Sequence, residues 1–60
     1  MNTPEFLTPA EAAALLGIRI ETLCRWRTRG YGPEYFRSET GRWVRYRRSA
    51  VDAWLASRAA

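Results

Sequence analysis

The stretch Leu7–Gly30 reads LTPAEAAALLGIRIETLCRWRTRG, and its punctuation decides the fold. Thr8, Pro9 and Glu11 spell a helix start. A threonine hydroxyl can accept from the backbone of the third helical residue, a glutamate there can reach back, and proline fits the first helical position. Leu7, just ahead of the cap, is placed to staple onto Ala12. Ala10 to Leu16 favours helix throughout, and Gly17 is suited to end it in the left-handed conformation. Ile18 and Arg19 leave room for a tight turn only. A second helix is predicted from Ile20 to Arg29, with Gly30 as its stop. At ~100° per residue, Ile20, Leu23 and Trp26 share the side that faces a core. Glu21, Thr22, Arg25, Thr28 and Arg29 gather on the opposite side. Glu21 and Arg25 are also spaced as an i, i+4 pair, worth about 0.2–0.5 kcal/mol if they engage each other. Arg27 falls at the edge of the apolar stripe, where its stem can pack while its guanidinium reaches solvent.

Outward from that core, residues 1 to 5 read as a frayed lead-in. Gly32-Pro33 breaks the chain after the second helix. Two short aromatic or β-branched runs then flank Ser38-Glu39-Thr40-Gly41, which predicts a β-hairpin with a four-residue tip. In the return strand Val44 and Tyr46 alternate with Trp43 and Arg45, giving one apolar and one partly cationic face. After Arg47-Arg48, Ser49 is expected to cap a last helix, with Asp52 at its third position favouring the helix dipole. Val51, Trp54 and Leu55 have the spacing of a buried stripe, and Arg58 suits the helix C-terminus. The order helix, helix, two-stranded wing, helix makes the fold class mostly α with a small β-hairpin, a winged helix-turn-helix. The whole chain, 1–60, is expected to be one such domain with its core in 6–57.

Sixty residues bury only about 60% of their unfolded surface, so compact packing is needed. Eight aromatics help, and Trp26, Trp43 and Trp54 are assigned to packing. The formal net charge is +4, and all ten basic residues are arginine. GC-rich coding explains arginine in place of lysine, but it does not explain why every arginine falls after residue 18. That clustering points to a polyanionic partner. Cys24 is the single cysteine and histidine is absent. An internal disulfide is thereby excluded, and so are Cys/His metal sites, and Cys24 is read as a half-buried packing residue. With no His, no cysteine pair and no clustered carboxylates, no acid–base or nucleophilic set is evident, so an enzyme is not expected. No cofactor, metal or small-molecule ligand is implied. There is no apolar run of membrane length and no signal-peptide core, so the expected location is the cytoplasm of a bacterial host cell, away from any membrane.

The residues themselves suggest roles against double-stranded DNA. The exposed face of a second helix of this kind enters the major groove, with its N-terminal residues nearest the bases. Arg25 is the best candidate to read a guanine through O6 and N7, Glu21 to accept from a cytosine N4, and Thr22 to touch a base edge or phosphate. Thr28 and Arg29 complete the recognition face. Arg42 at the hairpin tip is the wing contact, where a narrow minor groove attracts arginine. Arg19, Arg45 and Arg47 are assigned to phosphates, which position without reading sequence. Arg45 and Arg47 also fit an ordinary charged strand edge. About five phosphate contacts imply a log–log salt slope near −4.5.

A family resemblance now becomes specific. LTPAEAAALLG, ETLCRWRTRG and GRWVRYRRSAVDAWLA together resemble the excisionase-type and AlpA-like members of the MerR-related winged helix-turn-helix superfamily, over roughly Phe6 to Ser57. The telling elements are the Leu16-Gly17 turn, the Leu23/Trp26 pair, and Val44-Arg45-Tyr46 leading to Ser49, Trp54 and Leu55. The resemblance implies that the second helix reads the major groove and the wing meets the minor groove, which implicates Glu21, Thr22, Arg25 and Arg42. The family usually has Ser or Asn where this chain has Arg19, so the second helix lacks a normal side-chain cap. Ile20 is more apolar than usual there, and it either packs inward or meets a thymine methyl.

MerR-type regulators continue into a dimerisation helix and a ligand domain, whereas this sequence stops at Ala60. The favoured expectation is therefore a phage excisionase (recombination directionality factor). Such a factor binds attachment-site repeats cooperatively, bends the DNA, and directs an integrase toward excision. The alternatives are a small AlpA-like transcriptional regulator and, from a different class, an adaptor whose basic face docks an acidic protein. RNA binding is disfavoured because no exposed aromatic platform stands out, although Trp43 is suspect.

Overall fold

The computed structural model describes residues 5–58. Six elements follow in chain order: β1 (Phe6–Leu7), α1 (Pro9–Leu16), α2 (Ile20–Thr28), β2 (Tyr35–Arg37), β3 (Val44–Arg47) and α3 (Arg48–Arg58). This is the winged helix-turn-helix arrangement that the pattern predicts. Its wing, β2 and β3, is antiparallel, with Tyr35 opposite Tyr46, Phe36 opposite Arg45 and Arg37 opposite Val44.

Local chemistry accounts for the helix ends. At the start of α1 the Glu11 amide donates to Thr8 Oγ1 at 3.1 Å, and the Thr8 amide donates to Glu11 Oε1 at 2.9 Å. The two helices before the wing end alike. Gly17 (φ 73°) and Gly30 (φ 72°) take the left-handed conformation that a side chain resists. Around them, Gly17 and Ile18 donate to the carbonyls of Ala14 and Ala13, and Gly30 and Tyr31 donate to those of Arg27 and Trp26. This crossed pair of bonds satisfies the last carbonyls and turns the chain sharply. The second instance carries the usual apolar contact as well, with the Tyr31 ring 5.0 Å from Trp26, edge to face.

The core is Leu7, Ala12, Ala13, Leu23, Tyr46 and Val51, with Leu16, Ile18, Trp26, Tyr35, Val44 and Leu55 packed around it. Leu23, Tyr46 and Val51 are the largest side chains wholly removed from solvent. These three come from α2, β3 and α3, so the core locks α2 to the wing and the last helix.

Several expectations are corrected. The wing gains a third strand, because β1 pairs antiparallel with β3, giving the order β1-β3-β2. Of the proposed lead-in, residues 1–4 lie outside the described residues, whereas Glu5 is tied down: its carbonyl accepts from the Arg48 amide at 2.7 Å. That bond also explains why Ser49 is not a cap. The strand runs straight into α3 at Arg48, and β1 supplies an acceptor for the first helical amide. Asp52 is not in the first turn but a turn further on, where Arg48 Nε donates to Oδ1 at 3.3 Å. Ile20 is 41% exposed, since it opens α2 on the outward side of the first turn, and Leu23 fills the inward position. Trp43 is 50% exposed and does not pack in the core. In strand alternation it shares the outer sheet face with Arg45 and Arg47 while Tyr46 points in.

Candidate nucleic-acid interface

The face of α2 opposite Leu23 is open to solvent. Glu21, Arg25, Thr28 and Arg29 are all exposed and Thr22 is half-buried. Glu21, Arg25, Thr28 and Arg29 span an arc of roughly 100° at helical spacing. Glu21 and Arg25 form no ion pair; the ion pairs among the described residues are Arg47–Glu5 and Arg48–Asp52. Thr28 donates its hydroxyl to the Cys24 carbonyl at 3.1 Å, so it has an acceptor but no free proton to offer a ligand. Arg19 precedes the helix in extended conformation and makes no side-chain cap. It is exposed and leaves the first amides of α2 open, a favourable place for a phosphate.

The ten arginines divide by environment. Arg19, Arg25, Arg29 and Arg42 are exposed, and among the described residues their guanidiniums make no hydrogen bond, ion pair or ring contact. The other six are engaged within the fold. Arg37 lies over Tyr35 at 5.8 Å. Arg45 donates to the Val44 carbonyl at 2.9 Å and lies over the Trp43 ring at 5.3 Å. Arg47 donates to Glu5 Oε2 at 2.8 Å and lies over Phe6 and Phe36 at 5.4 and 5.1 Å. Arg48 holds Asp52. Arg58 stacks 4.2 Å from the centre of the Trp54 ring and donates to Tyr31 Oη at 3.2 Å, closing an aromatic group that includes Trp26.

Arg27 departs most from expectation. Its guanidinium turns inward, donating to Tyr46 Oη at 3.2 Å and Cys24 Sγ at 3.5 Å, and it sits 5.8 Å from the Tyr35 ring centre. Burial works to lower its pKa, but the bonds to Tyr46 and Cys24 outweigh that, and the net shift is upward. Arg27 is therefore a charged strut between α2 and the wing.

At the wing tip, Ser38 organises the turn. Its Oγ accepts from the Arg42 amide at 2.9 Å, and its carbonyl accepts from the Gly41 amide at 2.9 Å. Its own amide donates to the Trp43 carbonyl at 3.1 Å. Gly41 takes φ 76°, which completes the reversal and leaves the Arg42 side chain outside. Ser38 is thus more than the tip residue expected of it. The signal for its role was a serine three positions before a turn glycine, where the hydroxyl mimics a backbone acceptor.

A family profile describing a helix-turn-helix domain matches residues 6–59. The chain belongs to the helix-turn-helix domain family. Among curated proteins, none matches the chain. As a helix-turn-helix domain, the protein is supported as a binder of double-stranded DNA, and the pair α1–α2 is the motif itself. No helix of the described residues is long and apolar enough to cross a membrane.

Proposed function

We propose that this helix-turn-helix protein is a sequence-specific DNA-binding and DNA-bending factor of the excisionase type, related to the AlpA-like and MerR-like winged domains. In this reading the whole chain acts as one domain, without catalysis, in the cytoplasm of a bacterial cell, and an integrase is its protein partner. The observation that carries the reading is the position of the cations left unpaired among the described residues: three at or on α2 (Arg19, Arg25, Arg29) and one at the wing tip (Arg42). Elements held in this order by Leu23, Tyr46 and Arg27 suit α2 in a major groove with the wing on the adjoining backbone or minor groove. Arg25 reads a guanine, Glu21 and Thr22 contact neighbouring bases, and Arg19 and Arg29 hold phosphates.

A domain this small covers few base pairs. In this reading several copies act on adjacent repeats, and bending a site of 20–30 base pairs costs on the order of 1–6 kcal/mol, to be offset by their joint contacts. The test is selection of bound duplexes from a random pool, followed by circularly permuted mobility assays on the winner. Tandem repeats, cooperative occupancy and position-dependent mobility are expected. A single isolated site, bound without bending, would reject the excisionase reading and leave a transcriptional regulator.

A further inference from the structure

We propose that the outer face of the sheet docks an acidic segment of a partner protein that inserts one apolar anchor side chain. The inference goes beyond duplex recognition and uses none of the residues assigned to the major groove. Phe6, Phe36 and Trp43 are exposed here (46%, 37% and 50%), three of the exposed large apolar side chains gathered on one face. The register fixes them on one face, because Phe6 is opposite Arg47 and Phe36 opposite Arg45. Phe6 and Phe36 meet edge to face at 5.5 Å. Together with Arg37, Trp43 and Arg45 they line an open pocket of about 370 Å³, near the lower end of small-ligand sites, which run to about 1,000 Å³.

Three observations choose the occupant. The pocket wall is almost wholly apolar and its rim is cationic, from Arg45, with Arg47 beside it. That is complementary to an apolar side chain flanked by carboxylates, and Trp and Arg are the residues that dominate protein interfaces. Second, this face already holds a carboxylate: Glu5 sits on Arg47 at 2.8 Å while Arg47 lies over both phenylalanine rings. Third, a guanidinium lies over each of the Trp43, Phe6 and Phe36 rings, which reduces the ring face a nucleobase could stack on, whereas the pocket between the rings is open. This favours a peptide over a single-stranded nucleic acid. Leu23 and Tyr46 both turn into the one core, so the outer sheet face and the open side of α2 each point away from it.

The test is an amide and indole chemical-shift titration of the full chain with the blocked peptide Asp-Glu-Asp-Phe-Glu-Asp-Glu. Its controls are the same peptide with Ala for Phe, a version with Lys for every acid, and a thymidine decamer. Saturable shifts are expected at Phe6, Phe36, Arg37, Arg45 and the Trp43 indole, with a Kd of about 1 mM or tighter. Loss of the anchor in the Ala peptide weakens binding about tenfold or more, and the Lys peptide does not bind. Phe36→Ala weakens peptide binding similarly and leaves duplex affinity unchanged. Trp43→Leu gives a second reading should Phe36→Ala fold poorly. Peptide binding that persists in a protein unable to bind duplex would uphold this face and reject the duplex reading. The proposal is overturned by any of four results: no saturable shift, shifts centred on Arg25 and Arg29, equal binding of the Ala peptide, or tighter capture of the decamer on the same residues. Shifts that depend on protein concentration without peptide would also overturn it, since the occupant would then be a second copy.

Discussion

The division of the arginines sets a number that salt can measure. On a duplex of arbitrary sequence, Arg19, Arg25, Arg29 and Arg42 are the cations free to meet phosphates. Four contacts give a slope of log K against log salt near −3.6, so affinity falls about 150-fold between 50 and 200 mM salt. If Arg45 and Arg47 joined them, the slope would approach −5.4 and the loss about 1,800-fold. Arg47 is the sharper case, because a surface ion pair alone is worth only about 0–1 kcal/mol. Its hold on Glu5 at 2.8 Å is reinforced by two ring contacts, each worth about 0.5–1 kcal/mol at an exposed site. Fluorescence anisotropy over that salt range should therefore give the same slope for the wild type and Arg47→Ala. Arg42→Ala should lower the slope by about 0.9, and Glu5→Gln, which releases Arg47, should steepen it by up to about 0.9. A wild-type slope beyond about −5 that loses a full contact in Arg47→Ala would refute the partition, and a slope near zero would refute the duplex interface altogether.

Three further outcomes follow from the same contacts. Arg25→Ala should cost about 1–3 kcal/mol of discrimination between a selected site and a random duplex, with both affinities measured at one salt concentration. Arg27→Met leaves the hydroxyl of the buried Tyr46 without its partner and should cost about 1–3 kcal/mol, lowering Tm by roughly 5–20 °C. Its salt slope should match the wild type; a drop by one contact would place Arg27 on DNA. Gly32→Ala should destabilise more than Gly17→Ala in chemical denaturation. Gly32 has φ 106° and an added Cβ would lie 3.2 Å from Trp26 Cε3, whereas a Cβ at Gly17 meets nothing within 4 Å.

The helical half of the molecule was legible because its signals are local. Thr8, Pro9, Glu11, Gly17 and Gly30 each act within a few residues, and the capping bonds they imply are all present. The open face of α2 follows from 3.6-residue periodicity, with two departures: Ile20, at the first turn where the core has not yet begun, is exposed, and Thr22, expected on the open side, is half-buried. What the sequence hid depends on contacts across long separations. β1 is two residues long, too short to carry an alternation, and it exists because β3 offers an edge. That same pairing brings Glu5 to Arg47 across 42 residues and moves the start of α3 to Arg48, ahead of the expected Ser49 cap. The position of Arg27 on the stripe's edge permits both directions. Tyr46 Oη, buried and needing a donor, decides between them.

Composition overstated the polyanion-facing charge for a reason specific to arginine. A guanidinium is flat, weakly hydrated and able to lie on a ring while its edge donates, which an ammonium does less well. In this chain the property recurs at Arg37 on Tyr35, Arg45 on Trp43, Arg47 on Phe6 and Phe36, and Arg58 on Trp54 and Tyr31. These arginines cover aromatic surface that a 60-residue domain has too little core to bury. The consequence is a spatial separation of roles within one residue type. Ring-bound guanidiniums stabilise the sheet face and the α3 end, and unengaged ones mark the turn, the open side of α2 and the wing tip. A replacement of all ten by lysine would keep the net charge of +4, yet it should cost stability through the ring-bound set and specificity through Arg25. The two losses separate by replacing each set alone: the ring-bound set should shift Tm with little change in base discrimination, and Arg25→Lys should do the reverse.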